Sequence, residues 1–265
     1  YPLRRQRQMC IRDSRYGKLD RIESHNEYWL ETDARLRTDF NVPGPKNQDI
    51  ERVKRKSRMK QIFVGAGIDV APGEVVQTVK AAKSFIADVG YPVVAKPDVG
   101  VGAAATYKIH SEDELESFFA DKPAIDYIME AFISGNLYSF DGLVNRDGRI
   151  VFYTAHFFSQ GIMETVNEGL DLFYYSLRDL PPGLEDVGRR AVDAFGLKER
   201  FFHIEFFQLE DGQWIALEVN MRPPGGLTLD MFNYANDIDL YWEWANVVAS
   251  NIFSACLLYT SDAAD

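Results

Sequence analysis

The 265-residue chain reads as an α+β protein, and three observations carry that reading. Short strands and amphipathic helices alternate along it. Two Asp-Gly pairs, Asp147-Gly148 and Asp211-Gly212, lie between strand-like runs. Hydrophobic residues make up 46% of the chain and aromatics 13%, enough for a sizeable core. In order, residues 28 to 37 predict a helix, the last piece of an N-terminal domain that closes at the Pro43-Gly44-Pro45 punctuation near residue 45. Residues 54 to 65 and 76 to 89 predict helices, the second stopped by Gly90, and Ser111 with Glu114 forms a capping box for a helix to about Ala120. Residues 127 to 133, 138 to 144 and 150 to 157 predict strands, the last two joined at Asp147-Gly148, and residues 183 to 195 predict a helix.

The stretch from Phe201 to Gly226 predicts a hairpin. If Asp211-Gly212 is a two-residue turn, Glu205 faces Glu218 and His203 faces Asn220. The four share one face. Phe202, Ile204, Phe206, Leu217, Val219 and Met221 take the other, which pins the register, because a one-residue slip would turn carboxylates into the core. Directly opposed carboxylates repel. A hard divalent cation removes the repulsion, and Mg2+ that keeps waters and takes phosphate oxygens suits two carboxylates and an amide oxygen. A solvated surface hairpin is the plain alternative. Arg222 continues the spacing of two from Asn220 and needs an anion to face, before Pro223 to Gly226 ends the strand.

Glu205 with Glu218-x-Asn220-x-Arg222 and the following Gly-Gly resembles the metal-binding end of the ATP-grasp superfamily. Upstream, Gly90 to Lys96 followed by Gly100 and Gly102 resembles its phosphate-binding lysine strand and glycine-rich flap. Lys56 to Lys60 and then Ala66 to Gly73 resemble the segment with the first nucleotide-binding lysine. Residues 127 to 135 resemble the hinge whose backbone reads the adenine edge, which places Glu130, Ala131 and Ile133 at the nucleotide. Four motifs in the family's order span roughly residues 46 to 250, far more specific than any one alone.

The resemblance implies two α+β lobes clamping ATP, with Mg2+ (or Mn2+ in its place) on Glu205, Glu218 and Asn220, Lys56 and Lys96 on the phosphates, and Arg222 catalytic. It implies a ligase in which a carboxylate attacks the γ-phosphate and an amine captures the acyl phosphate. A bicarbonate-using carboxylase, a non-catalytic nucleotide-binding module and a metal-stabilised structural domain are the alternatives. Leu137 stands where many members carry a ribose-binding glutamate, so Asn136 or another acid takes that role or nucleotide affinity is lower.

Each residue also has a plainer reading. Lys96 ends the apolar run 93–95, where an ammonium needs an anion or must reach solvent. Lys56 and Lys60 lie in a basic run from Arg52 whose default is a solvated helix face. His203 reads as a structural histidine, or as one that orients a glutamate or touches a phosphate, and Glu130 as an exposed strand-end acid. His156, Gln160, Glu164, Asn167 and Glu168 are candidates for a substrate pocket or simply polar loop residues.

A net charge of -11 disfavours nucleic acid or an anionic membrane as the main partner, no stretch reaches a membrane span, and ATP use favours the cytoplasm. A Rossmann reading of Gly65 and Gly67 fails for want of the third glycine and the helix that should follow. The ends read differently from the rest. Residues 256–265 can be encoded by TGTCTCTTATACACATCTGACGCTGCCGAC, whose reverse complement in another frame encodes residues 5–13. Both ends resemble a sequencing-library adapter. The expected organisation is therefore an artefact at 1–14, the end of a pre-ATP-grasp domain at 15–45, a C-terminally truncated ATP-grasp domain at 46–255 and an artefact at 256–265. Both cysteines, Cys10 and Cys256, fall in those ends, which leaves no thiol chemistry to the remainder.

Overall fold

The structure, a computed structural model, describes residues 15, 17–100, 105–159 and 171–255. The adapter-like ends, Gly102, Gln160, Glu164, Asn167 and Glu168 lie outside the described residues. The chain forms two compact units, Tyr1–Glu51 and Arg52–Asp265.

The first unit is built on helix α1 (Leu30–Phe40), which buries Leu30 and Ala34 and ends on Asn41 in the left-handed conformation. The guanidinium of Arg37 is buried, where it donates to the Ile22 carbonyl and pairs with Glu23 at 3.1 Å. Gly44, at φ +115°, passes so close to Arg37 that a Cβ there would lie 2.8 Å from Nε. The predicted punctuation is thus a close approach that only glycine permits.

A short helix α2 (Glu51–Lys54) starts at the last residue of the first unit, and α3 (Lys56–Gly65) follows in the second. The single helix expected over 54 to 65 is interrupted: Arg55 is extended, at φ -87° and ψ 117°, and bridges to Val99. Asp98 explains the break. Its backbone carbonyl accepts from Lys56 N at 2.9 Å and its carboxylate from Ser57 N at 2.8 Å, so an acid from outside the helix satisfies the orphan amides of its first turn. The helix expected over 76 to 89 is shorter too. Residues Gly73–Val76 form strand β1, and Thr78 caps helix α4 (Val79–Val89) by accepting from Ala81 N.

Strands β2 (Val93–Pro97), β3 (Tyr107–Ile109) and β4 (Tyr127–Ala131) join β1 in an antiparallel sheet of order β1-β4-β2-β3. One face packs Val93, Ala95, Tyr127 and Met129 against α4 and α5 (Glu112–Asp121). Alternation therefore puts Lys96 and Glu130 on the other face. Ser111 caps α5 through Glu114 N, as predicted.

The second sheet, order β7-β6-β5-β8-β9, holds β5 (Asn136–Val144), β6 (Ile150–Phe158), β7 (Tyr174–Ser176), β8 (Arg200–Gln208) and β9 (Trp214–Asn220). Helix α6 (Leu184–Phe195) lies on the face of Phe140 and Phe202. It sits so close that a Cβ on Gly188 would be 2.3 Å from the Phe140 ring. Helices α7 (Thr228–Asn236) and α8 (Leu240–Ser250) bury Leu229, Phe232, Leu240 and Val247 against Leu143, Phe152 and Phe201 on the opposite face.

The β8–β9 hairpin reaches the expected pairing by a different route. Leu209 and Gln213 close a three-residue loop with Gly212 at φ +87°. Phe206 then pairs with Ala216, but Glu205 pairs with Glu218, because a bulge absorbs Leu217. The extra turn residue and the bulge cancel. Leu217, expected in the core, is only half-buried, while Ile215 and Ala216 are buried instead. Among the described residues no helix is long and apolar enough to cross a membrane.

Candidate functional site

Helix α3 carries two lysines one turn apart, Lys56 and Lys60, on one face. Both are buried, which corrects the reading of the basic run as a solvated face. Lys56 Nζ lies 3.1 Å from Glu218 Oε2 and donates to the Gly100 carbonyl at 3.1 Å. It thereby links the segment after β2 to the end of β9. Burial works against its charge, but Glu218 outweighs that and holds the ammonium pKa above its ordinary value. Lys60 Nζ donates to the Ala71 carbonyl at 2.8 Å and sits 2.8 Å from Glu130 Oε1, off the direction of a good hydrogen bond. Lys96 Nζ lies 2.6 Å from Glu130 Oε2.

Glu130 is 4% exposed, clamped between these two ammonium groups, and not an exposed strand-end acid. Burial opposes its ionisation. The charges of Lys96 and Lys60 prevail and lower its pKa. Gly73 opposite it is required, since a Cβ there would lie 2.9 Å from Glu130 Cγ and 3.2 Å from Lys60 Cε.

The hinge that follows is flanked by prolines. Ala131 N donates to the Pro72 carbonyl at 2.9 Å and Phe132 N to the Pro92 carbonyl at 3.3 Å. In an antiparallel pair the partner would return an N–H, and proline has none. Neither Pro72 nor Pro92 can therefore serve the carbonyl of Ala131 or Phe132. A ligand edge that donates can.

On the other sheet, register aligns Ser176, His156, Ser139, Glu205 and Glu218 across all five strands, and beside them Thr154, Asp141, His203 and Asn220. The sheet face covered by α7 and α8 at its apolar end is thus polar at the other. Asp141 is completely buried and is its centre. It accepts from His203 Nδ1 at 2.5 Å, from His156 Nδ1 at 3.0 Å and from Ser139 Oγ at 2.5 Å. Burial would raise its pKa, but the His203 charge and the donated hydrogen bonds hold it at about 2. Burial would likewise discharge His203, yet Asp141 and Glu205 keep it an imidazolium, with its pKa pushed up to about 10. His203 Nε2 meets Glu205 Oε1 at 3.0 Å, and Ser176 Oγ meets His156 Nε2 at 2.9 Å.

The opposed glutamates are therefore neutralised first by the protein itself, Glu205 by His203 and Glu218 by Lys56. Their pairing alone does not demand a metal, contrary to the argument from repulsion. Burial would raise the Glu218 pKa, but the charges of Lys56 and Lys96 overcome it and lower the pKa, and Asn220 Nδ2 donates to its Oε1 at 3.3 Å. Among the described residues no three His, Cys, Asp or Glu side chains converge as a complete metal cage. The donors on offer, two carboxylates and an amide oxygen, suit a hard cation that takes the rest of its shell from phosphate and water. Arg222 lies past the end of β9 and donates to Asn220 Oδ1 at 3.2 Å and to the Pro223 carbonyl at 3.0 Å.

Sequence reasoning missed Asp141, His156 and Lys60 as partners in this cluster. A serine and an aspartate two apart in an otherwise apolar strand, 138–144, and a lysine four residues after Lys56 are the signals that were present. Leu137 is buried on the same face of β5 as Ser139 and Asp141, whereas Asn136 is exposed on the other face and does not replace it.

Known proteins resemble this chain in sequence and in fold. The chain is 25% identical over 242 residues to an L-arginine-specific L-amino acid ligase of Bacillus subtilis, covering 86% of this chain and 57% of that protein. It therefore spans little more than half of that relative. In fold it resembles an L-amino acid ligase from Bacillus licheniformis, with TM-score 0.72 and 19% identity over 91% of this chain and 59% of that one. It also resembles the biotin carboxylase domain of Hydrogenobacter thermophilus 2-oxoglutarate carboxylase, a structure with MgADP, ADP and bicarbonate, with TM-score 0.69 and 19% identity over 94% of this chain and 57% of that one. Residues 89–230, more than half of the chain, match the family described as the ATP-grasp domain. With the lysine strand, the proline-flanked hinge and the glutamate hairpin all inside those bounds, this chain belongs to the ATP-grasp family.

Proposed function

We propose that the chain carries the nucleotide site of an Mg-ATP-dependent ligase that activates a carboxylate for attack by an amine. The observation that carries the reading is Lys56, whose ammonium joins Gly100 at the flap base to Glu218 on the hairpin, while Lys60 and Lys96 meet at Glu130 beside the hinge. Segments far apart in sequence thus gather cations and carboxylates into one place. That combination suits a polyphosphate and its counter-ion.

In this reading Lys56 and Lys96 bind phosphate oxygens, and the sequence motif assigns Gly100 and Gly102 to the flap. The Ala131 carbonyl and the Ile133 amide, next to Glu130, read the adenine edge. Glu205, Glu218 and Asn220 hold Mg2+, or Mn2+ in its place, and the cation when bound neutralises charge across the phosphates. Arg222 stabilises charge on the transferred group. A substrate carboxylate oxygen attacks the γ-phosphorus and the bond to ADP breaks. The amine nitrogen then attacks the acyl carbon and loses a proton as phosphate departs. No protein nucleophile is consumed. Residues 15–45 belong, on the same reading, to a preceding domain and 46–255 to the ATP-grasp domain.

The test is ADP release measured against panels of carboxylates, amines and bicarbonate. Release that needs both a carboxylate and an amine supports the ligase, whereas release with bicarbonate alone replaces it with a carboxylase. Glu218→Gln is expected to lower turnover on the order of a hundredfold and also to lower melting, because it leaves the buried Lys56 ammonium without its carboxylate, so turnover is compared at a temperature where the variant is folded. Normal ADP release from that variant would remove the metal assignment.

A further inference from the structure

His203 is a histidine whose two ring nitrogens both face carboxylate oxygens, Asp141 Oδ1 at 2.5 Å and Glu205 Oε1 at 3.0 Å. Carboxylates only accept, so both nitrogens donate and the ring cannot rotate without losing a bond. Asp141 is itself fixed by Ser139 and His156. The chain from β5 through His203 therefore ends on one oxygen of Glu205. Glu218, across the ribbon, has its oxygens engaged by Lys56 and Asn220 instead.

We propose that His203, anchored by Asp141, is a positioning residue that occupies Oε1 of Glu205, so that this carboxylate offers Oε2 alone to the divalent cation. The proposal rests on the metal assignment above. A carboxylate limited to one oxygen favours a small octahedral cation over a larger one that accepts both oxygens, so on this proposal His203 would favour Mg2+ over Ca2+. Partners that orient a ligand in this way are ordinarily worth ten- to a hundredfold in metal affinity.

Two substitutions separate this role from a structural one. The amide nitrogen of asparagine overlays Nδ1 of histidine and that of glutamine overlays Nε2. His203→Asn thus keeps the bond to Asp141 and gives up Glu205, and His203→Gln does the reverse. Mn2+ affinity is measured by electron paramagnetic resonance in the presence of AMP-PNP, with AMP-PNP affinity measured separately without metal and Ca2+ used as competitor.

His203→Asn is expected to weaken Mn2+ about tenfold and to narrow the disadvantage of Ca2+. His203→Gln should lose clearly less, since it keeps a donor on Glu205 while giving up the charge and the bond to Asp141, and metal-free AMP-PNP binding should change in neither. Equal Mn2+ affinity in both variants, or a loss confined to His203→Gln, would overturn the positioning role. If His203→Asn does not fold, a His203→Gln protein with a tenfold loss would overturn it equally. Failure of the unaltered protein to bind Mn2+ with AMP-PNP would instead strike the metal assignment itself.

Discussion

Glu205 and Glu218 each commit an oxygen within the protein, to His203 and to Lys56. A buried carboxylate left alone would be protonated. His203 and Lys56 set an opposite charge beside each acid, and on the proposed metal reading Lys56 yields Glu218 to the cation. Asp141 supports the arrangement from within the sheet and contributes a pH dependence with a definite sign. Its pKa is lowered from 3.8 to about 2, so its stabilisation is present above pH 3.8 and lost as pH falls towards 2. That is worth about 2 kcal/mol. Chemical denaturation of Asp141→Asn should show lower stability at pH 7, with the gap closing between pH 4 and pH 2. A gap constant across that range would mean that Asp141 ionises as it does in the unfolded chain. Glu205, Glu218 and Asn220 are legible in the sequence because alternate residues of one hairpin share a face. Asp141 and His156 are not, because their partners lie on strands whose order and register no local pattern sets.

At the scale of elements, the hairpin shows how a correct pairing can rest on an incomplete account. A two-residue turn predicts Glu205 opposite Glu218. The chain instead spends one more residue in the turn and one in a bulge at Leu217. Local composition does not reveal the bulge, which lies where Ala216 N also bonds to the Asp69 carbonyl of a distant segment. The break at Arg55 has the same kind of origin, since Asp98 lies on a distant segment just after β2. The packing of α6 supplies a direct test. Gly188→Ala would drive a methyl into the Phe140 ring, and overpacking of this sort costs about 1–3 kcal/mol. Thermal unfolding should fall by several degrees while ADP release at low temperature persists. An unchanged midpoint would show that α6 can shift away from β5 without loss.

Across the ATP-grasp unit, Lys56, Lys60, Lys96, His203 and Arg222 stand against Glu130, Asp141, Glu205 and Glu218, so the ionic groups nearly balance before any ligand is added. A bare divalent cation or a bare polyphosphate would upset that balance, and the two together would not. Mg2+ and ATP added jointly at a hundred times their dissociation constant should stabilise the fold by about 2.7 kcal/mol. Melting should rise by roughly 5–10 °C, clearly more than with either component alone. No response to the pair would end the ligase reading. By itself the sequence determined the α+β class, the order of lysine strand, hinge and glutamate hairpin, and the face on which the carboxylates lie, because strand alternation and turn chemistry are local. Only the tertiary structure decided what neutralises those carboxylates, which side chains surround Glu130 and why α3 begins where it does, because opposite charges become partners through packing between segments that the chain keeps far apart.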